Sequence, residues 1–181
     1  MSGLKFSYMA DFERLERAIH SIKDGFEHAC MECMESNRYL IADLVREQLY
    51  SGLDGNTDSL RPTYYDDIFF EQTKGRWRND PDGYIDWKQD ITPPVKSPRL
   101  NLPPRPSHVP NLYITGTFHE SIKASVKGDA LMVETVGFSD GQNIVRKYGD
   151  NILGLGIDAR EYIVIELLEP YLYDFYKKYW K

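Results

Sequence analysis

The stretch Ile114-Thr115-Gly116-Thr117-Phe118-His119-Glu120-Ser121-Ile122 decides how this chain is read. A turn built on Thr-Gly-Thr, within a segment from Asn111 to Ser121 that reads as a turn or short helix, opens onto Ile122-Lys123-Ala124-Ser125-Val126. The alternation of that run has the period of a half-buried strand. Lys127-Gly128-Asp129-Ala130 follows as a hairpin turn, and Leu131 to Gly137 reads as the returning strand. Asn143 to Leu153 carries Ile144, Val145, Tyr148 and Ile152 at helical spacing, with Gly149 as a weak spot. Gly154-Leu155-Gly156 is a flexible joint, and Asp158 suits the N-cap of a terminal helix. Pro170 inside that helix predicts a kink or break near Leu168 and Glu169. The C-terminal third is thus a compact α+β unit: a small antiparallel β-sheet packed with a short helix and a C-terminal helix.

Upstream, residues 8–50 read as helix. Leu15, Ile19, Ile22, Phe26, Ala29, Cys33, Leu40, Ile41, Leu44, Val45 and Leu49 recur in steps dominated by three and four. Gly25 and Ser36-Asn37 are its weak points. A continuous helix of this length spans about 60 Å at 1.5 Å per residue. That exceeds a small domain, so part of it must pack on a neighbouring subunit or on the linker that follows. Ser51-Gly52 ends it, glycine being the usual residue past a helix terminus.

Nine of the ten prolines fall between residues 60 and 110, among many aromatics. Disordered linkers are poor in aromatics, so this segment reads as an extended arm laid along a partner or along the long helix, with a helical turn over 86–91. The organisation expected is a long N-terminal helix over 1–51, an extended Pro/aromatic-rich arm over 52–110, and a hairpin with helices over 111–181 that shares one core with 1–51. Tyr64, Tyr65, Phe69, Phe70, Trp77 and Trp87 are the arm residues expected at subunit contacts; covering the first helix is the alternative use for them.

The 181 residues suit one domain with an appendage. A net charge of −6 gives no global attraction to DNA or anionic lipid. The basic run Lys177-Lys178-Tyr179-Trp180-Lys181 fits the C-terminal end of a helix dipole. Met1 to Ala10 lacks the pattern of a signal peptide. No run reaches the length of a bilayer span, so a protein that folds in a cytoplasm without membrane association is expected.

Cys30-Met31-Glu32-Cys33 lies mid-helix, where a redox pair would need a helix N-terminus. His20 and His28 share that helix, but no further ligand pair completes a zinc site. Asp54-Gly55-Asn56-Thr57-Asp58 imitates the start of a calcium loop, yet Tyr65 occupies the position of its bidentate glutamate. His119, Glu120 and Ser121 are adjacent on one turn and cannot form a triad, which draws on separate elements. No nucleotide-binding or nucleophile-elbow motif occurs. The expectation is no enzyme activity, no metal and no cofactor.

Taken in order, the long helix, Thr115-Gly116-Thr117 with Ser121-Ile122, the hairpin, Val145-Arg146-Lys147-Tyr148-Gly149, and Gly156-Ile157-Asp158-Ala159-Arg160-Glu161-Tyr162 form a recognisable series. It resembles the tail-completion, or virion-morphogenesis, proteins of tailed bacteriophages. Ala159, Arg160 and Tyr162 match in type the family's turn before the last helix, while both of its prolines are missing. The arm is not typical of that family. Leu49-Tyr50-Ser51-Gly52 with Asp54-Gly55, Pro62 and Tyr64, and also Asp86-Trp87-Lys88, resemble structural proteins of crAss-like phages.

The resemblance implies a homo-oligomeric ring at the head–tail connector, or neck, in contact with portal or adaptor proteins and with tail proteins. DNA would pass through the channel without specific binding. Such a protein resides in the virion neck or tail, and in the host cytoplasm during assembly. The alternatives are a cytoplasmic adaptor using the long helix, and a small metal-binding protein built on His28, Cys30 and Cys33.

Overall fold

The computed structural model describes residues 3–179, with side chains from Phe12 onward; Trp180 and Lys181 of the basic terminal run lie outside them. The N-terminal helical run divides in two. Helix α1 (Gly3–Ser36) and helix α2 (Arg38–Tyr50) meet at Asn37, whose side-chain amide donates to the Cys33 carbonyl at 2.9 Å. This bond shares its acceptor with the Asn37 backbone amide, which donates to the same carbonyl at 3.1 Å, so the side chain competes for a helical acceptor at the junction without removing the helical bond. Gly25 does not interrupt α1. A Cβ there would lie 3.1 Å from Phe175 Cζ, so the glycine serves close packing of the terminal helix.

Helix α2 is the axis of the core. Ile41, Leu44, Val45 and Leu49 on it are fully buried. It ends at Gly52, whose φ of +75° is the left-handed conformation that favours glycine.

The segment after α2 is not the extended arm that its prolines suggest. It folds back on itself as a compact annex with two helices, α3 (Phe69–Gln72) and α4 (Pro81–Ile91). The helical turn expected at 86–91 is the second half of α4. Pro81 sits in its first turn, where no backbone N–H is needed, and Asp80 caps it by accepting from the Gly83 amide at 2.9 Å. Residues 97–110 do run without regular structure along the core. Leu100, Leu102 and Val109 enter it, and Glu47 on α2 accepts from the Arg99 amide at 3.0 Å and from its guanidinium at 2.7 Å.

Helix α5 (Thr117–Ser121) starts at Gly116, φ +88°, and runs directly into strand β1 (Ile122–Lys127). Strand β2 (Ala130–Thr135) returns antiparallel, with Ile122 opposite Thr135 and Lys127 opposite Ala130. Gly128 in the turn has φ +66°. Ile122 and Ala124 bury one face of β1 in the core. Arg46 on α2 ties the α5–β1 junction by donating to the carbonyls of His119 at 2.8 Å and Ile122 at 2.6 Å.

Helix α6 (Gly141–Tyr148) stops at Gly149, φ +91°, and a single 3₁₀ turn over Asp150–Leu153 completes the segment expected as one helix. The terminal helix is α7 (Ile157–Tyr162), a π-helical stretch (Ile163–Leu168) and α8 (Glu169–Lys177) in continuous succession. Pro170 therefore brings no break, and the irregularity at the expected place is the π-helical stretch that ends at Leu168. The proline ring clashes with the carbonyl four residues back, and a locally wider helix removes that clash. Asp158 is not the cap of this helix: Gly156 holds that position, and Asp158 lies in the first turn. The joint at 154–156 is instead held by the buried Gln48, which accepts from the Gly156 amide at 2.7 Å and donates to the Gly154 carbonyl at 3.1 Å. Lys177 in the last turn pairs with Asp174 at 3.3 Å.

Candidate functional site

Two regions stand out: the annex with the pocket it closes, and the free end of α1. In the annex the aromatics pack edge to face. Tyr84 is the hub, with ring centroids 5.0 Å from Tyr64, 5.3 Å from Phe70, 5.5 Å from Trp77 and 5.3 Å from Trp87. Such pairs contribute about 0.5–1.5 kcal/mol each beyond the area they bury. Of the six aromatics expected at subunit contacts, Tyr64 and Phe70 are thus buried and Trp77 and Trp87 half-buried, all within this cluster. Only Tyr65 and Phe69 remain exposed.

Between the annex and the C-terminal unit lies a cavity of about 470 Å³, walled by Phe70, Tyr84, Phe118, Phe138, Ile144 and Tyr148 among others. Asp67 of the annex and Lys147 of α6 form an ion pair beside it. Burial raises the phenols of Tyr64 and Tyr148 well above their ordinary range and pushes Tyr84 up to about 12, with the Asp67 carboxylate adding to each. These hydroxyls stay protonated at any physiological pH.

A polar cluster borders the cavity, with Lys88, Asn111 and Tyr113 in its lining. Lys88 on α4 is 1% exposed. Its ammonium donates to Asn111 Oδ1 at 3.0 Å and to the Tyr113 carbonyl. Burial without a carboxylate partner, and the nearby Arg105 guanidinium, push it down to about 7. Arg105, 3% exposed, donates to the carbonyls of Val109 and Thr92 at 2.9 Å each; burial lowers its pKa too, against the opposing influence of Tyr64, Tyr50 and Tyr84. His119 is pushed down to about 4 by burial, helped by the charges of Arg46 and Lys88. The neutral ring faces the Asn111 carbonyl with Nε2 at 2.8 Å, so that nitrogen carries the proton.

A lysine with a lowered pKa is a nucleophile when a substrate can reach it. Lys88 borders the cavity, but it is 1% exposed and its ammonium is already engaged by Asn111 Oδ1 and the Tyr113 carbonyl. With Arg105 bound to the Thr92 and Val109 carbonyls, the arrangement acts as a clamp joining α4 to the loop 105–113, while Arg105 Nε and Asn111 Nδ2 have no hydrogen-bond partner among the described residues. The sequence carries a faint signal for it: Lys88 lies three residues from Ile85 and four from Tyr84, on the buried face of α4.

The cysteines and the Asx-rich turn have local roles. Cys33 is buried, its thiol 3.5 Å from the Leu167 carbonyl, and burial raises both thiols. Asp54 accepts from the amides of Asn56 at 2.8 Å and Asp58 at 3.0 Å, which closes the turn on itself. Among the described residues no three His, Cys, Asp or Glu side chains cluster as a metal site, and no helix is long and apolar enough to cross a membrane.

The free end of α1 is the second region. Phe12 is 67% exposed, Leu15 40%, Ile19 54% and Phe26 38%, whereas Ala29 and Cys33 on the same face are buried. The terminal helix lies against α1 up to Gly25, where Phe175 and Tyr179 approach. Residues before that point project beyond the core. Comparisons with protein-family models, with curated proteins and with solved structures find no match to this chain.

Proposed function

We propose that this chain is a non-catalytic structural subunit of a tailed-phage virion, part of the head–tail connector or tail-completion ring between portal and tail. The observation that carries the reading is the bare edge of α1. A stripe holding two phenylalanines and aliphatic residues on a projecting helix is a surface built to be covered, since each large side chain removed from water contributes about 1.5–3 kcal/mol. The order of sequence motifs that resembles tail-completion proteins supplies the context. The net charge of −6 is in keeping with a channel that passes DNA without holding it. In this reading the ring neighbour covers α1, and the exposed Tyr65 and Phe69 are the remaining annex candidates for contact. The protein would act in the virion neck, after assembly in the host cytoplasm.

The 3–4 spacing from Phe12 to Cys33 also favours a second reading, a cytoplasmic adaptor that binds a partner helix. Light scattering and electron microscopy of the purified chain, alone and mixed with the portal and tail proteins encoded beside it, separate the two. Closed rings are expected in the mixture. A chain that ignores those neighbours and never closes a ring would remove the connector reading.

A further inference from the structure

In heptad terms, α1 places Phe12, Ile19, Phe26 and Cys33 at a, and Leu15, Ile22 and Ala29 at d. At its C-terminal end this seam is filled from within the chain. Ala29 and Cys33 are buried, and the terminal helix supplies Leu167 and Phe175 to that part of α1. Toward the N-terminus the same seam runs on without a helix partner among the described residues: Phe12, Leu15, Ile19 and Phe26 are exposed and Ile22 is half-buried. A seam that continues past the end of its internal partner calls for a helix from outside.

The flanking positions say which one. The e positions are Glu16 and Lys23, both exposed, and among the described residues neither takes part in an ion pair. The g positions beside them are Ala18 and Gly25, small and uncharged. Two copies of this helix paired antiparallel bring e against e. Glu16 then faces Lys23 of the second copy, and the two-fold axis repeats the pair. The same register sets Ile19 against Ile22 of the second copy, and Leu15 against its Phe26. A parallel pairing brings e against g instead. It would set Lys23 against Ala18 and leave Glu16 without a lysine opposite it, so both attractions vanish.

We infer that the free protein is a dimer in which a second copy covers the α1 seam antiparallel, through layers of Leu15, Ile19, Ile22 and Phe26 flanked by reciprocal Glu16–Lys23 pairs. This rests on reading the seam as an assembly surface, and it adds what occupies that surface before assembly. An isologous contact closes on itself. The dimer therefore shields the apolar edge of a free subunit, and the pair must open before a ring neighbour can take the same helix. Its short seam is small against a standard interface, so it is a dissociable pair rather than a permanent one.

Sedimentation of the full-length protein over a range of about 1–200 μM tests this, with circular dichroism to verify the fold of each variant. A concentration-dependent monomer–dimer equilibrium is expected. Glu16→Lys and Lys23→Glu each set like charges across both pairs and should weaken the dimer by about tenfold. The combination of the two should return it to within about threefold of the parent. A monomer throughout that range, a pair indifferent to both single changes, or a double variant as weak as the singles would each overturn the inference. A monomer that still joins rings with portal and tail proteins would sink the dimer and leave the connector reading standing. A dimer that never joins them would do the reverse.

Discussion

The two ends of the N-terminal helical run obey the same periodicity and meet opposite fates. Toward the N-terminal end Phe12, Leu15, Ile19 and Phe26 are exposed and Ile22 is half-buried; further along Ala29, Cys33, Ile41, Leu44, Val45 and Leu49 are buried. Helical spacing specifies that a face exists. It does not specify what meets that face. In α2 the hairpin, the terminal helix and residues 100–109 surround the face from several sides. Along the first half of α1 no other element among the described residues covers the face, and most of its large side chains are exposed.

The largest expected effect lies on the buried side of this contrast. Leu44→Ala removes a fully buried side chain from the core and should lower unfolding stability by about 2–5 kcal/mol, read from urea denaturation of the isolated protein. A loss below about 1 kcal/mol would mean that α2 is not the axis of the core.

The clamp beneath the annex should show in the pH dependence of stability. Lys88 has a folded pKa near 7 against an ordinary value of 10.5. Between those values the unfolded chain binds more protons than the folded one, so stability rises with pH through the window, by at most about 1.4 kcal/mol per pH unit. Below pH 7 the full penalty of charging Lys88 in the interior is present. His119 works in the same direction from about 4 to 6.5. Thermal melts of the parent and of Lys88→Met from pH 7 to 10 should show a rise in the parent that is flattened in the variant. Parallel curves would exclude Lys88 as the titrating group.

Gly25 marks the boundary between the covered and the bare halves of α1. Gly25→Ala gains helix propensity of about 1 kcal/mol, offset in part because the new Cβ meets Phe175 Cζ at 3.1 Å. A net stabilisation of less than about 1 kcal/mol is expected, because the Phe175 ring has to give by a few tenths of an ångström to admit the new Cβ. Measured destabilisation would show that the terminal helix is held more tightly against α1 than this.

The smallest effect belongs to the bare half. Ile19→Ser, at 54% exposure, should change the unfolding free energy of dilute protein by less than about 0.5 kcal/mol, while strongly reducing association at high concentration. A large loss of stability in dilute solution would mean that the stripe is already covered within the chain.

Much of the α+β unit was legible from residues 114–137, because strand alternation, a Gly-Asp turn and the helix after it are all local signals. The annex was misread for a physical reason. Its prolines speak for extension one residue at a time, but Pro81 stands at a helix start, where proline is tolerated and Asp80 supplies the cap. Its aromatics found one another rather than a partner, which only their positions in space reveal. The cap position expected for Asp158 is taken by Gly156, whose amide is held by Gln48, more than a hundred residues earlier in the chain, a contact that local sequence rules cannot anticipate. The Lys88 clamp is of the same kind: a lysine on the inner face of a short helix is a weak signal until Asn111 and the Tyr113 carbonyl are seen to meet it.

By itself the sequence determined, outside the annex, where this chain turns, which long runs are helix or strand, and which faces of them are apolar, since these follow from backbone sterics and the period of the side chains. Tertiary structure alone decided which apolar faces found partners inside the chain and where the buried cations obtained their acceptors. Those outcomes depend on contacts between residues far apart in sequence. The bare edge of α1 follows from that division: its periodicity is written locally, and its exposure is what remains after every other element has packed elsewhere.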